Sequence, residues 1–195
     1  MSAQNMPIVA EIKDAIEILK FNKPKMAEVA AKASATKWAI IVLAAPVVVN
    51  LILMMIRTPS GFGSFFGSYL LWTVLIPVLS FVGLIFIVDT IASKMYHAKS
   101  DFWGIFRVMG YASIVFWISV LPWLLGGVLD VFRFYNLIVL LAGIWNLLVA
   151  YHMLLEHYKL KQQDVVITLV LSIVGYFIVN YILGSVLIGV GYRAF

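Results

Sequence analysis

His152 and Glu156 stand four residues apart, the spacing that puts an imidazole and a carboxylate on one face of a helix. Asp89 and Arg107 are further ionisable groups at the edges of long apolar stretches. Charge beside hydrocarbon is costly, so groups of this kind are paired or functional. Two chemistries fit. His152, Glu156 and Asp89 could form a metal or proton site, although a His–Glu pair at this spacing needs further ligands from other helices. Alternatively, Asp89 pairs with Arg107, and His152, like His97 and His157, reaches to water from the membrane edge. The second is the expectation: a structural ion pair, with no catalytic residue, metal or cofactor assigned. The sequence carries no H-E-x-x-H, P-loop, G-x-S-x-G or dinucleotide fingerprint, each of which would mark a known reaction geometry. It also has no cysteine, which removes thiol nucleophiles, disulfides and Cys-ligated metals. The chain is therefore not expected to be an enzyme.

The elements that must position these residues are apolar helices. Of the 195 residues, 64% are hydrophobic and 12% charged, whereas soluble domains carry roughly 25% charged residues. Five stretches lack charge: Ala39–Ile56, Thr58–Val88 with a Gly/Ser/Phe-rich turn at Ser60–Ser68, Val108–Leu129, Phe134–Leu155 and Val165–Tyr192. About 20 apolar residues suffice to cross a ~30 Å hydrocarbon core as a helix. Period-two alternation, the signature of barrel strands, is absent. The predicted fold is an all-α polytopic membrane protein. Its five transmembrane helices lie near 39–56, 69–90, 107–127, 134–156 and 165–191. Residues 1–37 form an amphipathic cytoplasmic segment, and 38–195 the membrane domain.

Lys and Arg set the expected orientation. Eleven fall on the side of the N-terminal segment and three on the other, which makes the N-terminus cytoplasmic and, with an odd number of spans, the C-terminus external. A multi-pass protein of the cell membrane, with the lipid bilayer as its first partner, follows. Topology accounts for the net charge of +5, so nucleic acid is not expected, and the charged first residues do not read as a secretory signal.

Within the N-terminal segment, Pro7 suits the first helical position. Ile8, Val9, Ile12, Ala15, Ile16 and Leu19 then share one side, and Glu11, Lys13, Asp14, Glu17 and Lys20 the other. Such a helix either lies on a surface or partner, or packs back onto the ends of the bundle. A second short helix is predicted from Pro24. In the last span, Gly184, Ser185 and Gly189 bring in small-xxx-small spacing, which serves packing within the bundle or a homo-oligomer. Gly110-Tyr111 and Gly175-Tyr176 recur at similar depths of the third and fifth spans.

Several segments resemble the Yip1 family of small five-span membrane proteins. "ILKFNKPKMAEVA" (Ile18–Ala30) and "TKWAIIVLAAP" (Thr36–Pro46) are similar to its Pro-containing basic segment and short helix leading into span one. "KSDFWGIFRVMGYASIVFWISVLPWL" (Lys99–Leu124) is similar to its central pattern of an aromatic, a basic residue, Gly-Tyr-Ala and a later proline. "LLAGIWNLLVAYHMLLEHYKLKQQDVV" (Leu140–Val166) fits its fourth span and short cytoplasmic turn. The resemblance covers roughly residues 15–190 and implies a non-catalytic protein of membrane organisation or traffic, docking a cytoplasmic or membrane protein at its inner face. It carries over no catalytic residues. The alternative from the residues alone is a small transporter or channel using the inner His/Asp/Glu cluster.

Overall fold

The structure is a computed structural model that describes residues 7–57, 75–121 and 131–194. Every regular element among these residues is helical: α1 (Pro7–Leu19), α2 (Lys23–Ala31), α3 (Ala35–Arg57), α4 (Ile76–Tyr96), α5 (Phe102–Ala112), α6 (Val131–Glu156) and α7 (Gln162–Ala194). A 3₁₀ stretch, Ser113–Val120, continues α5. Five helical stretches are long and apolar enough to cross a membrane: Ala35–Leu53, Ile76–Tyr96, Phe102–Val120, Leu137–Glu156 and Gln162–Ser185. The all-α polytopic bundle expected from the sequence is the observed architecture.

Span three is the centre of the bundle. More than half of Phe102–Val120 is buried (56%), against 17% of Gln162–Ser185. α5 packs on α1, α2, α3, α4 and α6, while α7 lies mainly along α4. Helix α7 is 33 residues long, about 50 Å at 1.5 Å per residue, so it tilts within or projects beyond a bilayer. Small and polar groups close the α4–α7 seam. A Cβ on Gly175 would lie 3.0 Å from the Ile87 side chain. Ser80 Oγ donates to Asn180 Oδ1 at 2.8 Å, and Asn180 Nδ2 donates to its own helix at the Tyr176 carbonyl.

Three turns at one end of the bundle each pass through a left-handed residue: Phe21 (φ 59°) between α1 and α2, His97 (φ 54°) between α4 and α5, and Lys159 (φ 58°) between α6 and α7. Helices end in this conformation because it lets the following N–H reach back to an orphan carbonyl. Here the Asn22 N–H bonds Glu17 O, the Ala98 N–H bonds Ala92 O and the Leu160 N–H bonds Leu154 O. The turns are consequently tight, and they gather α1, α2 and the connections α4–α5 and α6–α7 at one end of the molecule.

Candidate functional site

That end, where the sequence places its ionisable residues, is held by a set of polar contacts centred on α5. Asp101 is the N-cap: its Oδ1 accepts from the Gly104 N–H at 2.9 Å, satisfying one of the helix's orphan donors. A Cβ on residue 104 would sit 2.1 Å from Asp101 Oδ2, so the glycine lets the carboxylate keep this position. That second oxygen meets His157 Nε2 at 2.7 Å, tying the α6–α7 turn to the start of α5.

Asp89 lies inside α4 and is 6% exposed. Its carboxylate accepts from Ser100 Oγ (2.6 Å), the Asp101 N–H (2.9 Å) and the Tyr158 hydroxyl (2.6 Å). Burial pushes the Tyr158 phenol pKa well up, and the bond to Asp89 adds to it, because ionising the phenol would put a second negative charge beside the first.

Arg107 is not the partner of Asp89. Its Nη1 donates to Ala30 O at 2.5 Å and its Nε to Thr36 Oγ1 at 2.8 Å. Ala30 belongs to the last turn of α2, whose carbonyls lack helical partners and carry the negative end of the dipole. Thr36 opens α3. Arg107 therefore pins the end of one helix to the start of the next. The expected ion pair gives way to these contacts for a physical reason. The short α4–α5 connection brings its own donors to Asp89, and the rotation of α5 turns residue 107 towards α2 and α3.

One turn further along α5, Gly110 and Tyr111 perform separate tasks. A Cβ on Gly110 would fall 2.6 Å from Ala39 Cβ and 3.0 Å from Ala39 Cα, so α3 and α5 approach here only because the side chain is missing. Tyr111 is fully buried, and its hydroxyl donates to Glu11 Oε2. Glu11 Oε1 takes Lys32 Nζ at 3.0 Å. A carboxylate on α1 is thus buried against the central span and neutralised from the end of α2.

This contact revises the expected seating of α1. The buried line is Glu11, Ala15 and Ile18, while Ile8, Ile12 and Ile16 are exposed. The helix does pack back onto the bundle, with part of its apolar side uncovered. Helix α2 forms as expected, beginning at Lys23 with Asn22 as its N-cap, which accepts from the Lys25 N–H. At the α1–α2 corner Phe21 stacks on Trp145 (centroids 5.4 Å) and lies tilted against His152 (4.8 Å), and Trp145 Nε1 donates to Leu19 O at 3.1 Å. Lys23 closes the corner on Glu156 at 2.6 Å. Outside the spans, the hydrogen bond from Lys20 holds Glu17 below the usual carboxylate range.

The three residues weighed as metal ligands are therefore dispersed. His152 lies under Phe21, Glu156 holds Lys23, and Asp89 serves Ser100, Asp101 and Tyr158. No group of three His, Asp or Glu residues among those described has metal-binding geometry. Of the packing residues named in the last span, Gly184 is buried, Ser185 is exposed with its hydroxyl on Tyr181 O, and the surroundings of Gly189 lie outside the described residues. The sequence did not single out Glu11 as buried, nor Tyr111, Asp101, Lys32, Thr36 or Tyr158 as anchors. Asp101 three residues before Gly104 was the one readable signal among them, as a capping residue opening an apolar helix.

A separate cavity of about 620 Å³ lies deeper among the spans, lined by Pro46, Phe81, Met109, Phe116, Asn146 and Tyr176 among others. Its walls are almost wholly apolar, and none of His152, Glu156 and Asp89 lines it.

No curated protein and no solved structure matches the chain. The family model of the Yip1 domain does, over residues 24–184. That interval runs from the first turn of α2 into the last span and takes in Arg107, Gly110 and Tyr111, so the chain belongs to the Yip1 domain family.

Proposed function

We propose that this protein is a non-catalytic membrane organiser that works through its N-terminal end, with the α1–α2 hairpin as a docking platform on the cytoplasmic face. The observation that carries this reading is the use of the ionisable side chains at that end. Asp89, Asp101, Arg107, Glu11 and Glu156 each hold one element against another. Groups so engaged fix a shape, and a fixed hairpin at the membrane edge is suited to recognition. The 11-to-3 division of Lys and Arg supports a cytoplasmic N-terminus and an external C-terminus, in the cell membrane. Reporter fusions at both ends give opposite signs on this reading.

The transporter alternative receives little support from the geometry, because its proposed ligands are dispersed and the deeper cavity offers an ion few polar groups. The deciding experiment pairs two measurements on the purified chain. A specific protein or lipid that co-purifies from native membranes, with no solute flux in liposomes, supports the organiser. Flux of a defined solute that is lost with Asp89→Asn or His152→Ala overturns it.

A further inference from the structure

Helix α1 has three faces. Glu11, Ala15 and Ile18 are covered by the bundle. Lys13, Glu17 and Lys20 form the polar face. Between them runs a line at i, i+4, i+8 spacing, Ile8, Ile12 and Ile16, exposed by 53%, 46% and 43%. Three isoleucines on one exposed helical line are far more apolar than a helix bathed in water on that face would carry.

The depth of α1 identifies what covers them. Its last residue, Leu19, accepts a hydrogen bond from the indole of Trp145. α6 has 26 residues, about 39 Å at 1.5 Å per residue, longer than the ~30 Å hydrocarbon core. Its final turns, with Glu156 bound to Lys23, therefore stand in the headgroups. Ala39, which opens the charge-free part of span one after Lys37, packs on Gly110 beside the Tyr111 that holds Glu11, so α1 crosses the bundle at the level where span one enters the acyl chains. Around Trp145, the α6 side chains Leu141, Ile144 and Leu148 are exposed to the same surroundings. The isoleucine line thus continues a surface that faces lipid.

We propose that α1 is an interfacial helix whose Ile8, Ile12 and Ile16 side chains are immersed in the upper acyl chains of the leaflet on the N-terminal side. Its polar face then meets the headgroups, and its carboxylate face is locked onto α5. Unlike a polybasic anchor, it has no excess of cations. Asp14 and Glu17 stand beside Lys13 and Lys20, and Glu11 is matched by Lys32. Contact is therefore by apolar insertion and independent of anionic lipid. A rigidly held helix inserted in one leaflet enlarges that leaflet, which gives the proposed organising function a physical means. The inference deepens the proposed function on the lipid side but depends only on the chain spanning a bilayer.

The absence of cysteine makes the test direct. Single variants Ile8→Cys, Ile12→Cys and Ile16→Cys, with Lys13→Cys and Glu17→Cys as polar-face controls, are labelled with an environment-sensitive fluorophore. The full chain is then reconstituted in phosphatidylcholine vesicles with and without phosphatidylserine. The expected result is several-fold stronger quenching by chain-labelled lipid at positions 8, 12 and 16 than at 13 and 17, with the reverse order for aqueous iodide. Phosphatidylserine leaves both patterns unchanged. Iodide reaching position 12 as readily as position 13 overturns the proposal. So does shielding of position 12 from both quenchers, which would assign the line to a second copy of the chain. A failure of this kind leaves partner docking untouched, since that reading is decided by co-purification.

Discussion

Gly-Tyr dipeptides lie within the third and fifth spans, at 110–111 on α5 and at 175–176 on α7, and these two have different consequences. On α5 the missing Cβ admits the backbone and Cβ of Ala39, and the tyrosine hydroxyl reaches a carboxylate on α1. On α7 the missing Cβ faces the end of the Ile87 side chain, and the tyrosine lines an apolar cavity. Backbone cannot yield, whereas the tip of an isoleucine can turn. The same two residues thus fix the geometry of a buried central helix in one place and ease the packing of a peripheral one in the other. What distinguishes them is the element opposite, a feature of the tertiary structure that no local pattern carries.

The largest effects are expected where α5 is tied at its polar end. Asp89→Ala leaves three donors without their acceptor and should lower unfolding stability in detergent by about 3 kcal/mol, at 1–3 kcal/mol for each buried group left unpaired and some relaxation. Arg107→Ala, which frees Ala30 O and Thr36, should cost about 2 kcal/mol by the same reasoning. Because the two side chains hold different partners, the double variant should lose close to the sum. A loss well below it would restore the direct pair between them.

Substitution at the glycines sharpens the comparison next. Gly110→Ala should cost about 1–3 kcal/mol, since the added methyl meets a neighbouring helix and α3 must shift. Gly175→Ala should be close to neutral, as alanine's better helix propensity, worth up to about 1 kcal/mol, offsets the movement of Ile87. Equal losses at the two positions would break the distinction drawn here.

A smaller effect is expected from pH at the α6–α7 turn. The folded-state pKa of Tyr158 is raised from its ordinary value of 10.0. An acid whose pKa is higher in the folded state contributes stability below the unfolded value, and that contribution fades as pH rises past it. Thermal midpoints should therefore decline above about pH 10, and Tyr158→Phe should remove part of that alkaline decline while lowering the plateau. An identical alkaline slope in the variant would exclude Tyr158 as its source. The Lys23–Glu156 pair, being exposed, should contribute least, and Lys23→Gln should leave stability in moderate salt unchanged.

The helical architecture was legible because charge-free stretches near the length of a bilayer crossing have few other uses. The membrane-edge position of Asp89 was legible for the same reason, as a charge that had to be satisfied. Its partner was not. The nearest cation in sequence was Arg107, yet backbone N–H and hydroxyl donors from a tight turn reach a carboxylate without needing charge. Glu11 was misplaced for a related reason. On α1 it lies beside Ala15 and Ile18 at helical spacing, and its charge assigns it to water unless a buried hydroxyl a hundred residues away in the chain is known. The exposed isoleucines follow from the same error, since burying the Glu11 line turns Ile8, Ile12 and Ile16 outward.

The seating of α1 on the central span is the point on which the interfacial helix and the docking platform both depend. A double-mutant cycle between Glu11→Ala and Tyr111→Phe, read by unfolding of the full chain in detergent, measures it directly. Groups that share a buried hydrogen bond couple by about 0.5–3 kcal/mol. The account predicts a coupling in that range, with the double variant losing less than the sum of the two singles. Additive losses, or no loss from Glu11→Ala at all, would mean that α1 is not held on α5 and would contradict it.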